Sequence, residues 1–130
     1  MIQARALADE GLSAVAIRTF GNIARAWQMT VAEQRAVLGN VSKQSIYNWR
    51  EHPERARLTS DQLDRISYLI GIYKALHILF TRPEQADSWI RRPNAVAPFA
   101  GRPAADLVFN GRMDSLIRVR RYLDGVRGAW

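Results

Sequence analysis

The chain has 130 residues, 48% of them hydrophobic, with four tryptophans and no cysteine. This length suits one ordinary domain or two small helical units that share a core, and the apolar content excludes a disordered chain. The lack of cysteine excludes disulfides and thiolate metal sites, and it fits the reducing cytoplasm, where we expect the protein to be located.

The net charge of +7 favours an anionic partner, and most of this charge comes from the last third of the chain. Residues 91–130 hold eight arginines and three aspartates, whereas residues 1–90 hold eleven basic and nine acidic residues. No signal peptide is visible, and the most apolar run, residues 68–80, is too short to span a bilayer. We therefore expect a soluble protein.

The first predicted element is an amphipathic helix that follows a loosely held lead-in at residues 1–12. From Ser13 onward, apolar side chains recur at helical spacing as far as Met29. This helix opens the first domain, which we place at residues 13–58.

Two short helices joined by a tight turn follow. Thr30 and Glu33 form a capping-box pattern at the start of the first, and Gly39 suits the left-handed position that closes it. Ser42 is placed to cap the second helix, which Pro53 ends. This arrangement is typical of a helix-turn-helix, although helical hairpins without a DNA function share it.

The second of these helices, "SKQSIYNWRE", has two unlike faces. Ile46 and Trp49 share one side, and the other side carries Gln44, Tyr47, Asn48 and Glu51. Amides in this position can bind adenine edges in the major groove, and flanking cations can contact phosphate. An ordinary solvated helix face is the alternative, and it is favoured by acidic residues near the end of the helix. The predicted DNA-binding residues are Ser42, Lys43, Gln44, Ser45, Tyr47, Asn48 and Arg50.

A long central helix is predicted at residues 59–80. Thr59 and Gln62 repeat the capping-box pattern at its start. From Tyr68 onward the helix is apolar nearly all round, so it is buried on several sides by its own chain or by a second copy. We expect it to contribute to a homodimer.

The last region, residues 81–130, is predicted to be a small helical domain. Pro83 suits the first position of a short helix, and the proline-rich residues 93–103 form a loop. A short helix and a final amphipathic helix follow, and the latter is expected to fray at Gly125 and Gly128. Because no strand-like alternation occurs anywhere, the predicted fold is all-α.

Residues that could support catalysis or metal binding are scarce. The two histidines, His52 and His77, fall on different predicted helices, and no phosphate-binding glycine loop or nucleophile motif is present. We predict no enzyme activity, no metal site and no cofactor. His77 is expected to be a core histidine with a satisfied hydrogen bond.

The C-terminal half nevertheless carries a distinctive set of motifs. The run "ADSWIRRPN" contains Trp89 to Asn94, "PFAGRPAADLV" contains Gly101 to Pro103, and "YLDGV" lies in the final helix. In this order the motifs resemble the toxin-binding domain of the MbcA/ParS/Xre antitoxins. The preceding "VSKQSIYNWRE" and "LTSDQLDRISYLIGIYKAL" resemble the helix-turn-helix and linking helix of the same family. The resemblance covers about residues 20–130.

The resemblance implies a type II antitoxin. In that family the N-terminal half dimerises and binds an inverted repeat in the operon's own promoter. The C-terminal half binds a RES-domain toxin, which resembles an ADP-ribosyltransferase and consumes NAD, and it occludes the toxin's active site.

The family motifs also imply which residues face the toxin. The implied toxin-binding residues are Trp89, Asn94, Arg120, Arg121, Tyr122, Asp124, Val126, Arg127 and Trp130. Two alternatives are open: a stand-alone helix-turn-helix transcription regulator whose C-terminal half only oligomerises, and a protein-interaction module with a vestigial helix-turn-helix.

Overall fold

The computed structural model describes the backbone of residues 2–128 and the side chains of residues 11–128. Within this part of the chain the structure is almost entirely helical, which confirms the predicted all-α class. The helices are α1 Ile2–Ala26, α2 Val31–Val37, α3 Lys43–Glu51, α4 Ser60–Leu79, α5 Pro83–Ser88, α6 Ala105–Val108 and α7 Met113–Gly128. Short 3-10 helices span Pro53–Arg55 and Trp89–Arg91, and two strands, β1 Pro93–Asn94 and β2 Arg102–Pro103, pair antiparallel.

The first helix is longer than the sequence predicted. α1 begins at Ile2, so the expected lead-in is the first part of the same helix that was predicted from Ser13. This stretch contains no proline, and the exposed Gly11 costs only about 1 kcal/mol relative to alanine in a helix. The helix ends at Ala26, and Gln28, which follows it, adopts a left-handed φ of 52°.

Both predicted capping boxes are present. The Thr30 hydroxyl accepts from the Glu33 N–H at 3.1 Å, and the Glu33 carboxylate accepts from the Thr30 N–H at 2.9 Å. Thr59 and Gln62 exchange the same two bonds at the start of α4. These reciprocal bonds satisfy N–H groups that have no partner within the helix.

The tight turn after α2 also forms as predicted. Gly39 has φ 85°, its N–H donates to the Ala36 carbonyl, and the next N–H, from Asn40, donates to the Arg35 carbonyl at 2.8 Å. This pair of bonds is the Schellman motif. It turns the chain so that Ser42 can begin α3.

The central helix α4 is covered by the chain's own helices. It packs against α7, α1 and α5, and these contacts bury Ile66, Leu69 and Ile72 among others. Ser67 and Lys74 remain exposed, so a solvated stripe runs along the helix. The apolar character of α4 is therefore explained by intramolecular packing.

One hydrophobic core joins both halves of the chain. Trp27, just after the end of α1, is 1% exposed, and its ring lies 6.0 Å from Tyr73 of α4 and 5.9 Å from Phe109, which follows α6. The final helix α7 adds Leu116 and Val119 to this core. The helix-turn-helix is thus held rigidly against the C-terminal region.

The C-terminal region differs from the prediction in two details. The proline-rich loop contains the short β1–β2 ladder, and α7 continues through Gly125 to Gly128 without fraying at the former. Gly125 is exposed and open, whereas Leu123 is buried, so packing of the neighbouring turn holds the helix. Among the described helices, none combines the length and hydropathy needed to cross a membrane.

Candidate functional site

The outer face of α3 presents the residues that were predicted from the sequence. Ile46 is 4% exposed and packs inward, and Trp49 is half-buried against the core. Gln44, Tyr47 and Asn48 are exposed on the opposite side. The helix therefore offers a polar face on an apolar support, as a recognition helix must.

The two exposed amides form a single unit. The Nε2 of Gln44 donates to the Oδ1 of Asn48 at 3.0 Å, one helical turn away. This bond leaves the Oε1 of Gln44 as an acceptor and the Nδ2 of Asn48 as a donor. An acceptor beside a donor matches the N6 amino group and N7 of adenine in the major groove.

Two cations lie close to the Tyr47 ring, on the helix that carries the amide pair. The Nζ of Lys43 lies 5.9 Å from the ring centroid, and the guanidinium carbon of Arg50 lies 5.5 Å from it. Both are within the range of a cation–π contact. Tyr47 thus holds two positive charges on the exposed side of α3.

The start of α3 is fixed by a local hydrogen-bond network. The Ser42 hydroxyl accepts from the Ser45 N–H at 3.0 Å and lies 2.9 Å from the Ser45 hydroxyl. The Nε of Arg35 donates to the Val41 carbonyl at 2.8 Å. Of the predicted DNA-binding residues, Ser42 is exposed at this end and Ser45 is half-buried.

The acidic residues near α3 lie at its far end. Glu51 is the last residue of the helix, and Glu54 in the following 3-10 turn lies 3.3 Å from the Nδ1 of His52. The pKa of Glu54 is lowered by its own backbone N–H and by His52. Glu51 is exposed and follows Asn48 by three residues, so one carboxylate lies a helical turn from the amide pair on the same face, at the end away from Lys43.

A second candidate surface is built around three aromatic rings in the C-terminal region. Phe99 is 3% exposed and packs edge-to-face against Trp89, with centroids 5.6 Å apart, and against Tyr122, at 5.1 Å. The loop that carries Phe99 is closed by the Asn94 carbonyl, which accepts from the Gly101 N–H at 2.8 Å. The structure thus brings Trp89 and Tyr122 together around Phe99, and Asn94 closes the loop that carries Phe99.

The other flank of α7 carries charged residues that face α4. The Nε of Arg120 donates to Asp124 at 3.1 Å, and Arg127 lies 4.0 Å from the same carboxylate. The Arg120 guanidinium lies directly over Gly71 of α4, so closely that a Cβ at that position would overlap it. Gly71 therefore lets the two helices pack with an arginine between them.

The eight implied toxin-binding residues that the structure describes do not form one continuous patch. Tyr122 contacts Phe99 on one flank of α7, whereas Arg120 and Asp124 lie on the opposite flank, and Arg121 is on the exposed outer side. Val126 is half-buried and Arg127 exposed. Trp130 lies outside the described residues.

The C-terminal ends of α4 and α7 meet at an open groove of about 580 Å³. Ile78 on its rim is 61% exposed, and Arg127 and Asp124 line it with Gly128. An exposed isoleucine beside paired charges is an apolar anchor with a polar rim, which is the usual composition of a protein interface. This groove could not be predicted from the sequence, because its two sides belong to helices that are far apart in the chain.

Sequence reasoning also missed a contact that joins the two regions. Arg91 donates both terminal nitrogens to the Glu33 carboxylate, each at 2.8 Å, and donates further to the backbone carbonyls of Trp27 and Gln28. Its guanidinium also lies 5.1 Å from the Phe109 ring centroid. The Arg91 bond lowers the pKa of Glu33 despite partial burial. No spacing rule could reveal partners 58 residues apart, and Glu33 was assigned only a capping role.

The histidines have local partners. The Nε2 of His77 lies 2.8 Å from Asp87, and its ring packs 4.2 Å from Tyr73, so it is the satisfied histidine that was predicted, although half-buried. Burial and the Asp87 charge raise the pKa of Tyr73. Within the described residues no three histidine, aspartate or glutamate side chains converge as metal ligands.

Comparison with known proteins divides the chain into two matched domains. Residues 6–71 match the antitoxin Xre-like helix-turn-helix domain, and residues 75–128 match the antitoxin Xre/MbcA/ParS C-terminal toxin-binding domain. The chain is also 38% identical over 112 residues to the uncharacterized protein y4oB of Sinorhizobium fredii. That alignment covers 86% of this chain and 84% of the relative.

Proposed function

Because the chain belongs to the Xre/MbcA/ParS antitoxin family, we propose that it neutralises a RES-domain toxin by occluding its active site and represses its own promoter. Antitoxins of this kind act by binding, so we assign the chain no catalytic step. The toxin partner and the promoter are proposed to engage different surfaces of one rigid unit, which operates in the cytoplasm.

The toxin-binding part of the proposal is supported mainly by the exposed end of α7. Ile78 and Arg127 line the open groove there, inside the matched toxin-binding domain, and Arg121 is exposed on the adjacent outer face. The excess of arginine over acidic residues in this region suits a partner with an acidic rim around its cleft. The tail from Val126 onward is proposed to enter that cleft.

The promoter-binding part is supported by the outward amide pair of α3. Gln44 and Asn48 together present an acceptor and a donor to the outside, and Lys43 and Arg50 lie beside them. Direct readout of adenine by the pair would supply specificity, and the cations would supply salt-dependent affinity.

We further propose a homodimer through the N-terminal half. Leu12 and Val15 are three residues apart on α1, and they are 52% and 59% exposed. Apolar side chains adjacent on one helix face favour a partner surface. A two-fold dimer would present its two α3 helices about one DNA turn apart, roughly 34 Å, to an inverted repeat.

Separation-of-function variants test the two activities independently. The double variant Gln44→Ala/Asn48→Ala is expected to lose promoter binding and keep toxin neutralisation, while deletion of residues 126–130 is expected to do the reverse. Gln85→Ala, an exposed amide on α5, is the matched control for the first variant. Full neutralisation by the truncated chain would refute occlusion by the tail.

The dimer is tested by light scattering during size-exclusion chromatography. Leu12→Glu/Val15→Glu is expected to shift the chain from a dimer to a monomer, with operator affinity reduced because two half-sites are no longer bound together. Ser67→Glu on the solvated stripe of α4 is the control. A dimer that survives the double substitution would place the interface elsewhere.

A further inference from the structure

A second groove lies in the helix-turn-helix domain, between the outer side of α1 and the end of α3. Its volume is about 600 Å³, and its apolar floor includes Phe20, Ile46 and Trp49. Of the residues predicted to bind DNA or implied to bind the toxin, only Arg50 lines this groove, at its edge.

Three arginines surround this groove without a counter-charge. Arg18, Arg25 and Arg50 line it, and none of the described residues that line it is acidic. Within the described part of the chain none of the three forms an ion pair; Arg25 bonds only the side-chain oxygen of Asn22, and Arg50 lies over the Tyr47 ring.

Other exposed arginines of the described surface, such as Arg118 and Arg121, also form no ion pair, so the groove differs in bringing three such arginines to one concave surface. Elsewhere, some exposed arginines are paired with nearby carboxylates, as in Arg102 with Asp106 and Arg112 with Asp114. Three cations around one concave surface repel each other unless an anion lies between them. On an ordinary solvated helix face, the three arginines would have no reason to converge on one groove.

The groove is continuous with the outer face of α3. Arg50 belongs to both surfaces, since its guanidinium contacts Tyr47 on the outer face and its side chain lines the groove. Arg18 and Arg25 are seven residues apart on α1, which is about 10 Å along the helix axis. This separation is large enough for the two guanidinium groups to contact different phosphates of one strand.

We propose that this groove holds the phosphate backbone of one DNA strand beside the major groove that α3 reads. Arg18, Arg25 and Arg50 bind the phosphates, and the exposed amides of Asn22 and Gln28 on the same rim donate additional hydrogen bonds. The inference rests on the proposed promoter binding and extends it from α3 to α1. It predicts contacts that position the protein on DNA without contributing sequence specificity.

The experiment compares Arg18→Ala/Arg25→Ala with the wild-type chain by fluorescence anisotropy on the promoter duplex and on a scrambled duplex. The salt dependence of log K should become shallower by about 0.9 for each phosphate that is no longer bound, so by about 1.8 for two. The ratio of the wild-type DNA-binding constant to that of the variant should therefore fall about tenfold when the salt concentration rises from about 50 to 200 mM. Both duplexes should be affected equally.

Two further variants keep the result interpretable. Arg18→Lys/Arg25→Lys retains the charges and should restore the wild-type slope. Arg82→Ala/Arg118→Ala, which removes two exposed arginines outside the groove, should leave the slope unchanged. Thermal unfolding of each variant checks that the fold is intact.

The outcomes are distinct. An unchanged slope in Arg18→Ala/Arg25→Ala refutes the inference, as does a variant that binds DNA normally but no longer binds a protein partner, since the groove would then hold an acidic protein segment. A wild-type chain that binds neither duplex would refute promoter binding itself. A shallower slope on both duplexes, restored by lysine, establishes the phosphate contact.

Discussion

Replacing Arg91 by alanine removes the contact that joins the C-terminal region to the helix-turn-helix. The substitution breaks a two-bond pair with Glu33, with both bonds at 2.8 Å, and bonds to the Trp27 and Gln28 carbonyls at 3.0 and 3.1 Å. These carbonyls lie at the end of α1, where helical carbonyls lack partners within the helix. The substitution therefore affects the junction that orients α2 and α3.

The expected loss of stability follows from the solvent exposure of the Arg91 and Glu33 side chains. The side chains of Arg91 and Glu33 are 40% and 24% exposed, so solvent screening limits their pair to about 1 kcal/mol. The carbonyl bonds and the contact with Phe109 add about 1–2 kcal/mol. We expect Arg91→Ala to lower the free energy of unfolding by about 2–3 kcal/mol, which corresponds to a fall in Tm on the order of 10 °C.

A double-mutant cycle measures the pair directly. Glu33→Gln keeps the capping box, because glutamine can also fill its third position, but it removes the charge that Arg91 binds. We expect Glu33→Gln to cost about 1 kcal/mol alone and almost nothing in an Arg91→Ala background. Urea unfolding of the four proteins supplies the cycle. A decrease below about 0.5 kcal/mol for Arg91→Ala, or additive effects of the two substitutions, would refute this reasoning.

Two further predictions concern the pH dependence of the Glu33–Arg91 pair and the close approach of Arg120 to Gly71. Because the pKa of Glu33 is lowered from 4.5, chiefly by Arg91, its stabilisation is complete above about pH 4.5 and is lost as the pH falls through the depressed folded pKa. Wild-type stability should therefore fall more steeply than that of Glu33→Gln below pH 4.5, and parallel curves would contradict this. Gly71→Ala should displace the Arg120 guanidinium, weaken its pair with Asp124, and lower Tm by a few degrees. In an Arg120→Ala background, Gly71→Ala should lower Tm by less. An equal decrease in Tm would show that the close approach at Gly71 involves atoms other than those of Arg120.

Local signals explain why much of the fold could be predicted. The two capping boxes and the Gly39 turn depend on residues close together in the chain, so the sequence specifies them directly. The faces of α3 follow from helical periodicity, and the structure places Ile46 inward and Gln44 outward as expected. The predicted start of α1 at Ser13 was wrong because the apolar spacing begins there, whereas the helix itself extends back to Ile2 through a stretch without proline.

Contacts between distant residues could not be predicted in this way. Arg91 and Glu33 are 58 residues apart, and the Arg120–Gly71 approach depends on how α7 crosses α4. Within α7, Val119 is buried and Arg120 is half-buried at the flank that faces α4. The assignment of toxin-facing residues is a prediction from family motifs, and it spans both flanks of α7 because motif order carries no information about helix faces.

The most direct test of the antitoxin function is a titration of NAD consumption. The chain is co-expressed with the protein encoded by the neighbouring reading frame, the complex is purified through a tag on this chain, and the partner is recovered after denaturation and refolding. The proposal predicts that the partner alone consumes NAD and that added antitoxin abolishes this activity at a fixed stoichiometric ratio. If the partner remains active at saturating antitoxin, or if the chain purifies alone and binds a palindromic DNA site unaided, neutralisation of a RES-domain toxin is contradicted.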